Sequence, residues 1–336
     1  MNRKWFFSIA IVTVVSISAA GLVAASAAEV KWQGYTYQQK MGVPEYDFLP
    51  RIANNVEKAT NGALKISVVP AGTLPIKGND VANAVADNII QFAGATSGTV
   101  SLVPIYGMTR LPMLFQDEVS LRKGLDDVLE PAIEDELNRK DVKVLCMWWY
   151  PAHSIWSVKK KINSLADLKG MKLRVTSPQQ GAFVKAFGAI PVTIATAEVA
   201  PALQQRVVDG VLTSAAGARL WVENFDYNYK LLLNFGTSFV LANKQAFAAL
   251  PMDQQQKLSV AAKEGCNWVT TTLASQEAGL FKKFQAEKMV EVVDPDQAAR
   301  KAAFESAKKL WEVEAKKVGP KGIAALEKLK KQMAGK

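Results

Sequence analysis

"MKLRVTSPQQGAFVKAFGAIPVTI", residues 171–194, decides the fold class, because two residue periods meet within it. Met171, Leu173 and Val175 alternate with Lys172 and Arg174, the period of two expected of a strand. Ser177-Pro178 reads as a helix start, a capping hydroxyl followed by a ring that needs no N–H donor, and Gly188 reads as its stop. "IPVTI" at 190–194 returns to strand. Strand, helix and strand in this order form a βαβ unit, and such units build mostly parallel sheets covered by helices.

The same grammar extends both ways. Upstream, "VKWQGYTY" (30–37), "ALKISVVP" (63–70) and "IIQFAGA" (89–95) read as strands. Between them Phe48, Leu49, Ile52, Ala53, Val56 and Ala59 recur at helical spacing until Asn61-Gly62, and Asn79 can cap a helix through Asn88. "SLAD" (164–167) resembles a capping box. Downstream, "ATAEVAPALQQRVVDG" (195–210) carries a helix in which Pro201 fits only near the first turn, and "VVDGVL" and "LLLNFGTSFVLAN" follow as strands. From Pro251 the pattern is helical over about 252–286, a length on the order of 50 Å if unbroken. A short strand, "VEVV" (290–293), and two more helices close the chain. Two α/β units without a sequence repeat or a low-complexity linker are expected.

The N-terminus states a destination. Arg3 and Lys4, the apolar run of residues 5–25 and the small residues Ser26-Ala27-Ala28 make 1–28 an export signal, cut after Ala27 or Ala28. No cysteine lies near the cut to take a lipid, so a free, monomeric periplasmic protein of about 308 residues is expected, enough for two cored domains. Losing Arg3 and Lys4 lowers the formal charge from +10 to +8. Much of the excess sits in "KKLWEVEAKKVGPKGIAALEKLKKQ" (308–332) at helical spacing, which reads as a solvated face; no nucleic-acid partner is expected. Cys146 and Cys266 are the whole cysteine complement, and two unpaired buried thiols are at least as consistent with their apolar surroundings as a disulfide.

Catalytic signatures are missing from the sequence. His153 is the lone histidine, no Gly-x-Ser-x-Gly elbow supplies it with a nucleophile, and "GATSG" (94–98) has the wrong spacing. There is no Cys-x-x-Cys, His-Glu-x-x-His, Walker loop or Gly-x-Gly-x-x-Gly. Neither a catalytic residue, a metal nor a cofactor is expected, and His153 reads as a hydrogen-bonded structural residue. Arg174 stands apart, since an arginine at the C-terminal end of a parallel strand points to the crevice where open α/β sheets bind ligands. Its planar fork can hold a carboxylate through two parallel charge-assisted hydrogen bonds.

"INSLADLKGMKLRV" (162–175), "FGAIPVTIATAEVAPALQQRVVDG" (187–210) and "LANKQAFAALPMDQQQKL" (241–258), with "RLPMLF" (110–115) and "NGALKISVVPAGTL" (61–74), follow one another in a known order. Together they resemble the extracytoplasmic solute-binding proteins of TRAP (tripartite ATP-independent periplasmic) transporters, of the DctP type. The resemblance implies a two-lobe periplasmic-binding-protein fold, type II-like, with a long helix spanning both lobes. Lobe I would comprise 29–151 with about 240–279, and lobe II 152–239 with about 280–336. It also implies that Arg174 clamps a substrate carboxylate, that the lobes close on an organic acid, and that TRAP membrane permease subunits receive it without ATP.

By the same resemblance, pocket positions fall near Tyr37, Gln38, Thr96, Ser154, Thr196 and Thr213. The number of hydroxyls there argues for a monocarboxylate over a doubly charged acid. Arg206, before "VVDG", is expected to face solvent. The aromatic run "CMWWYPAHSIWSV" (146–158) adds Trp149 or its neighbour, Trp156 and, beyond it, Trp221 as a flat apolar wall suited to a bulky or aromatic acid. The rival readings are a secreted two-domain enzyme acting on a small organic acid and a sensory receptor for one.

Overall fold

The computed structural model describes residues 29–77, 80–96 and 102–334. The expected export signal, 1–28, lies outside the described residues. The chain opens with strand β1 (Val30–Tyr35), helix α1 (Pro44–Ala59), β2 (Leu64–Val69), α2 (Val81–Ala86) and β3 (Phe92–Ala95). A 3-10 segment, Pro104–Arg110, leads to α3 (Glu118–Gly124), a π-helical turn (Leu125–Leu129), α4 (Glu130–Asn138) and β4 (Val142–Tyr150). The middle of the chain forms β5 (Ser154–Ser157), β6 (Lys172–Val175), α5 (Pro178–Ala186), β7 (Ile190–Thr193), α6 (Val199–Gln204), β8 (Gly210–Thr213), α7 (Ala215–Ala218) and β9 (Tyr227–Tyr229). Then come β10 (Gly236–Asn243), α8 (Lys244–Ala248), α9 (Met252–Ala286), β11 (Glu291–Val293), α10 (Gln297–Val318) and α11 (Pro320–Ala334).

The strands assemble into two sheets, ordered β2-β1-β3-β10-β4 and β11-β9-β5-β8-β6-β7. The local signals hold where they were clearest. Ser177 accepts the Gln180 N–H at 3.2 Å to cap α5, and Gly188 closes it in the left-handed region at φ +80°, which costs a glycine least. Asp167 reaches back to the Ser164 N–H at 2.8 Å, completing the capping box. Arg206 lies exposed, as expected, on a left-handed turn at φ +57°.

The sheets are more mixed than the βαβ pattern suggested. β1 runs parallel to β2 and β3, and β6 to β7 and β8, but β10 is antiparallel to β3 and β4, and β5 to β8 and β9. The reason is where these two strands begin. β4 delivers the chain to the space between the sheets, and β5 starts there and runs away; β10 does the same after β9. The two crossings also pair with each other, the His153 N–H donating to the Asn234 carbonyl at 2.8 Å and the Leu233 N–H to the His153 carbonyl at 2.6 Å.

Helix α9 serves both halves. Leu258, Ala261, Ala262, Val269 and Leu273 pack with α1 and β4, whereas Phe281 and Phe284 join Trp156 and Phe225 beside the second sheet. Gly265 lets α1 and α9 touch, since a Cβ there would sit 2.3 Å from Ile52 Cγ1. Cys146 of β4 and Cys266 of α9 form a disulfide, which settles the choice the sequence left open: two distant apolar segments pack with their sulfurs facing. Helix α10 is shared as well, with Ala303 and Ala307 in the second core and Trp311 and Ala315 in the first. Ala325, Leu326 and Leu329 carry α11 onto the first core, beside Leu121 and Leu125, although the sequence reading grouped 280–336 with the second.

Candidate functional site

The parallel strands end facing a cavity between the two sheets, whose empty space together with its opening to solvent is about 480 Å³. Its wall takes Tyr37 and Thr96 from beyond β1 and β3, Tyr150 from the end of β4, and Gly236 and Ser238 from the start of β10. The second sheet supplies Arg174 from β6, Thr176 from just beyond it, Thr196 from beyond β7, and Thr213 from β8. Gly217, Leu220 and Trp221 follow from the segment after β8, and Arg110 and His153 complete the lining. No acidic side chain is among these residues.

Arg174 is 6 % exposed. Its Nε donates to the Ile194 carbonyl at 3.1 Å, which fixes the plane of the guanidinium against the end of β7. Among the described residues, neither terminal nitrogen has a hydrogen-bond partner, and no carboxylate lies within ion-pair distance. Burial lowers its pKa to about 10; the nearby Arg110 also lowers it, while Tyr150 and Tyr37 act the other way. The group therefore remains a cation at neutral pH. Its free edge faces a space where an anion would relieve an uncompensated buried charge.

Arg110 reaches the same cavity in another condition. Its Nε and Nη2 donate to the Tyr106 hydroxyl at 3.2 and 2.8 Å, Nη1 to Thr176 Oγ1 at 3.2 Å, and Nη2 also to the Thr237 carbonyl. The guanidinium lies over the Tyr106 ring, 5.3 Å from its centroid. Its donors are engaged by the protein itself.

His153 sits between the two guanidiniums and the sheet crossings. Its Nδ1 is 2.8 Å from Gln180 Nε2, which also donates to Asn234 Oδ1 at 3.0 Å, so the crossing before β5, helix α5 and the segment before β10 are tied together. Burial, then the positive charges of Arg110 and Arg174, push its pKa down to about 3. It is neutral at pH 7. Tyr37 and Tyr150 share a hydroxyl contact at 3.1 Å, and burial raises both phenols, so both remain protonated.

Of the positions singled out in the sequence, Arg174, Thr213, Thr96, Thr196, Tyr37 and Trp221 line the cavity. Gln38, Ser154 and Trp149 do not. Gln38 turns back to accept the N–H groups of Gln39 and Lys40 at 3.0 and 3.3 Å. Ser154 Oγ points into the second sheet, where it accepts from Asn228 Nδ2 at 2.8 Å. Trp148 and Trp149 do take opposite faces of β4, but both faces are covered by core: Trp148 packs on Phe48, and Trp149 lies beneath the Arg122 guanidinium, 4.8 Å away. Trp156 is internal too, stacked on Phe281 with ring centroids 5.5 Å apart and donating to the Thr213 carbonyl at 2.9 Å.

Arg110, Tyr150, Thr176 and Ser238 were not singled out. Thr176 was within reach of the sequence, since two residues past Arg174 it continues the same strand face.

Residues 36–317 match the bacterial extracellular solute-binding proteins, family 7. The chain belongs to this family, whose members are TRAP extracytoplasmic solute receptors. Such receptors are binding proteins that act outside the cytoplasm with a membrane permease. The chain is 24 % identical to the 2,3-diketo-L-gulonate-binding periplasmic protein of Escherichia coli K12, over 83 % of this chain and 87 % of that one. It is 28 % identical to the ectoine/5-hydroxyectoine-binding periplasmic protein of Ruegeria pomeroyi, over 96 and 97 %. A solved Bordetella pertussis extracytoplasmic solute receptor binding pyroglutamic acid superposes with a TM-score of 0.83 at 25 % identity, over 90 % of this chain and 99 % of that one.

Proposed function

We propose that this family member captures a small organic monocarboxylate in the periplasm and hands it to TRAP permease subunits. One observation carries the reading: two arginines face the cavity, but only Arg174 has a free bidentate edge. One open guanidinium suits one carboxylate. Thr96, Thr176, Thr196, Thr213 and Ser238 offer hydroxyls to the neutral oxygens or nitrogens of the acid's body. Leu220 and the Trp221 ring supply an apolar side, which favours a bulky or cyclic body. The pyroglutamic acid bound by the Bordetella receptor is such an acid, a ring with one carboxylate.

In this proposal the lobes divide near 151/152 and 239/240, α9 runs along both, and closing them excludes water from Arg174. The receptor works as a monomer. Gln38, Ser154 and Trp149 act behind the wall, and His153 holds the crossings without taking or giving a proton. A thermal-shift screen of organic acids tests the reading. Monocarboxylates such as pyroglutamate, uronates and aromatic acids should raise the midpoint, since a ligand at one hundred times its Kd stabilises by about 2.7 kcal/mol. A response confined to dicarboxylates, amines or neutral sugars contradicts it. Recovery of the acid unchanged after incubation separates reception from turnover.

A further inference from the structure

Two carboxylates, one from α9 and one from α1, grip the segment that follows β8. Glu277 of α9 accepts the N–H groups of Ala215 and Ala216, each at 2.8 Å. Glu45, fully buried in the first turn of α1, pairs with Arg219, whose guanidinium also donates to the Ala216 carbonyl. Between and just beyond these anchors lie Gly217, Leu220 and Trp221, all on the cavity wall. Neither Glu277 nor Glu45 lines the cavity.

The segment needs outside support. α7 is a single turn of four residues, and one turn is too short to stand on its own hydrogen bonds. Its first amides would lack acceptors without Glu277. Ser214 Oγ takes the Gly217 N–H at 3.1 Å, and Gly217 is pressed so closely on Thr213 that a Cβ would meet Oγ1 at 2.1 Å. Small shifts of the turn therefore move the cavity wall directly.

We propose that Glu277 and Glu45 are positioning residues that clamp the turn between Ser214 and Trp221, and so set the size of the acid the cavity admits. The proposal rests on reading the cavity as the acid site. Charge-assisted bonds from an ionised carboxylate to backbone N–H groups are about twice as strong as neutral ones, so the clamp tightens when Glu277 ionises. The groups facing Glu277 are the amides of Ala215 and Ala216, the Arg219 guanidinium and the Lys230 ammonium, and through Arg219 it is coupled to Glu45. Burial raises its pKa to about 7, against the opposing pull of those amides and cations.

Hydrogen exchange of the unliganded full chain tests this, followed by mass spectrometry over 214–222 and corrected for intrinsic rates at pH 6 and pH 8. In the wild type the turn gains protection from pH 6 to pH 8. Glu277→Gln should speed exchange at Ala215 and Ala216 by roughly tenfold and abolish that gain, with β4 peptides unchanged. Arg219→Met, a second variant should the first fold poorly, should loosen Gly217–Trp221 while leaving Ala215 and Ala216 protected. Wild-type exchange in both variants, a uniform rise over the whole chain, or a pH gain that persists in Glu277→Gln overturns the proposal. The readout needs no acid, so failure of every acid to bind sinks the receptor reading, whereas unchanged exchange sinks the clamp alone.

Discussion

Arg174 and Arg110 line one cavity, 6 % and 2 % exposed, and chemically they are different objects. Arg110 is saturated by Tyr106, Thr176 and Thr237, so its charge is part of the scaffold. Arg174 has one anchoring bond and an open fork, so its charge is compensated only by what arrives. Burial and residue type do not separate a structural guanidinium from a binding one. The count of engaged donors does.

The comparison breaks most sharply at Arg174. Arg174→Ala should weaken acid binding at least a hundredfold, in line with roughly 3–5 kcal/mol for removing one partner of a buried charge pair. Urea unfolding of the empty protein should show no loss of stability, because an unpaired buried cation is removed. Arg174→Lys should also bind poorly in calorimetry, since an ammonium cannot present two parallel donors. Arg110→Ala should behave in the opposite sense. It takes the donor from Thr176 Oγ1 and one of two donors from the Thr237 carbonyl, which keeps the Tyr106 hydroxyl, and it leaves a cavity where the buried guanidinium lay, so it should cost about 3 kcal/mol of stability in the same urea titration.

Burial, reinforced by the two cations, keeps His153 neutral, which yields a pH test. Its folded pKa, about 3, lies below the unfolded value of 6.5, so between these pH values the unfolded chain binds the extra proton. Stability from this group is therefore intact above pH 6.5 and falls on acidification, by up to about 1.4 kcal/mol per pH unit. His153→Gln should flatten the slope of unfolding free energy between pH 7 and pH 5. Smaller effects separate the tryptophans. Trp221→Leu should weaken a cyclic or aromatic acid by about 1 kcal/mol, or several-fold, and spare a small one. Trp149→Phe should leave every Kd unchanged, because that ring faces Arg122 in the first core.

Much of the architecture was legible because it follows from periodicity. The alternation of "MKLRV", the cap at Ser177 and the helical run to residue 286 each appear as elements with nearly those bounds. The directions of β5 and β10 were not, because a strand's direction depends on which end of the sheet the chain enters. The cysteine pairing likewise depends on a contact between residues 120 positions apart. Arg174 announces itself by its place at the end of a parallel strand. Arg110 lies on a 3-10 turn with no period to mark a face. Trp149 misleads for a related reason: alternation gives two faces of β4, but not which of them stays open.

A crystal structure of the protein with a monocarboxylate from the thermal-shift screen tests the central claim most directly. The account predicts both carboxylate oxygens at about 2.7–2.9 Å from Arg174 Nη1 and Nη2, with the hydrogen bonds of Arg110 to Tyr106 and Thr237 unbroken. A carboxylate seated on Arg110, or on hydroxyls alone with Arg174 Nη1 and Nη2 left unpaired, would contradict it.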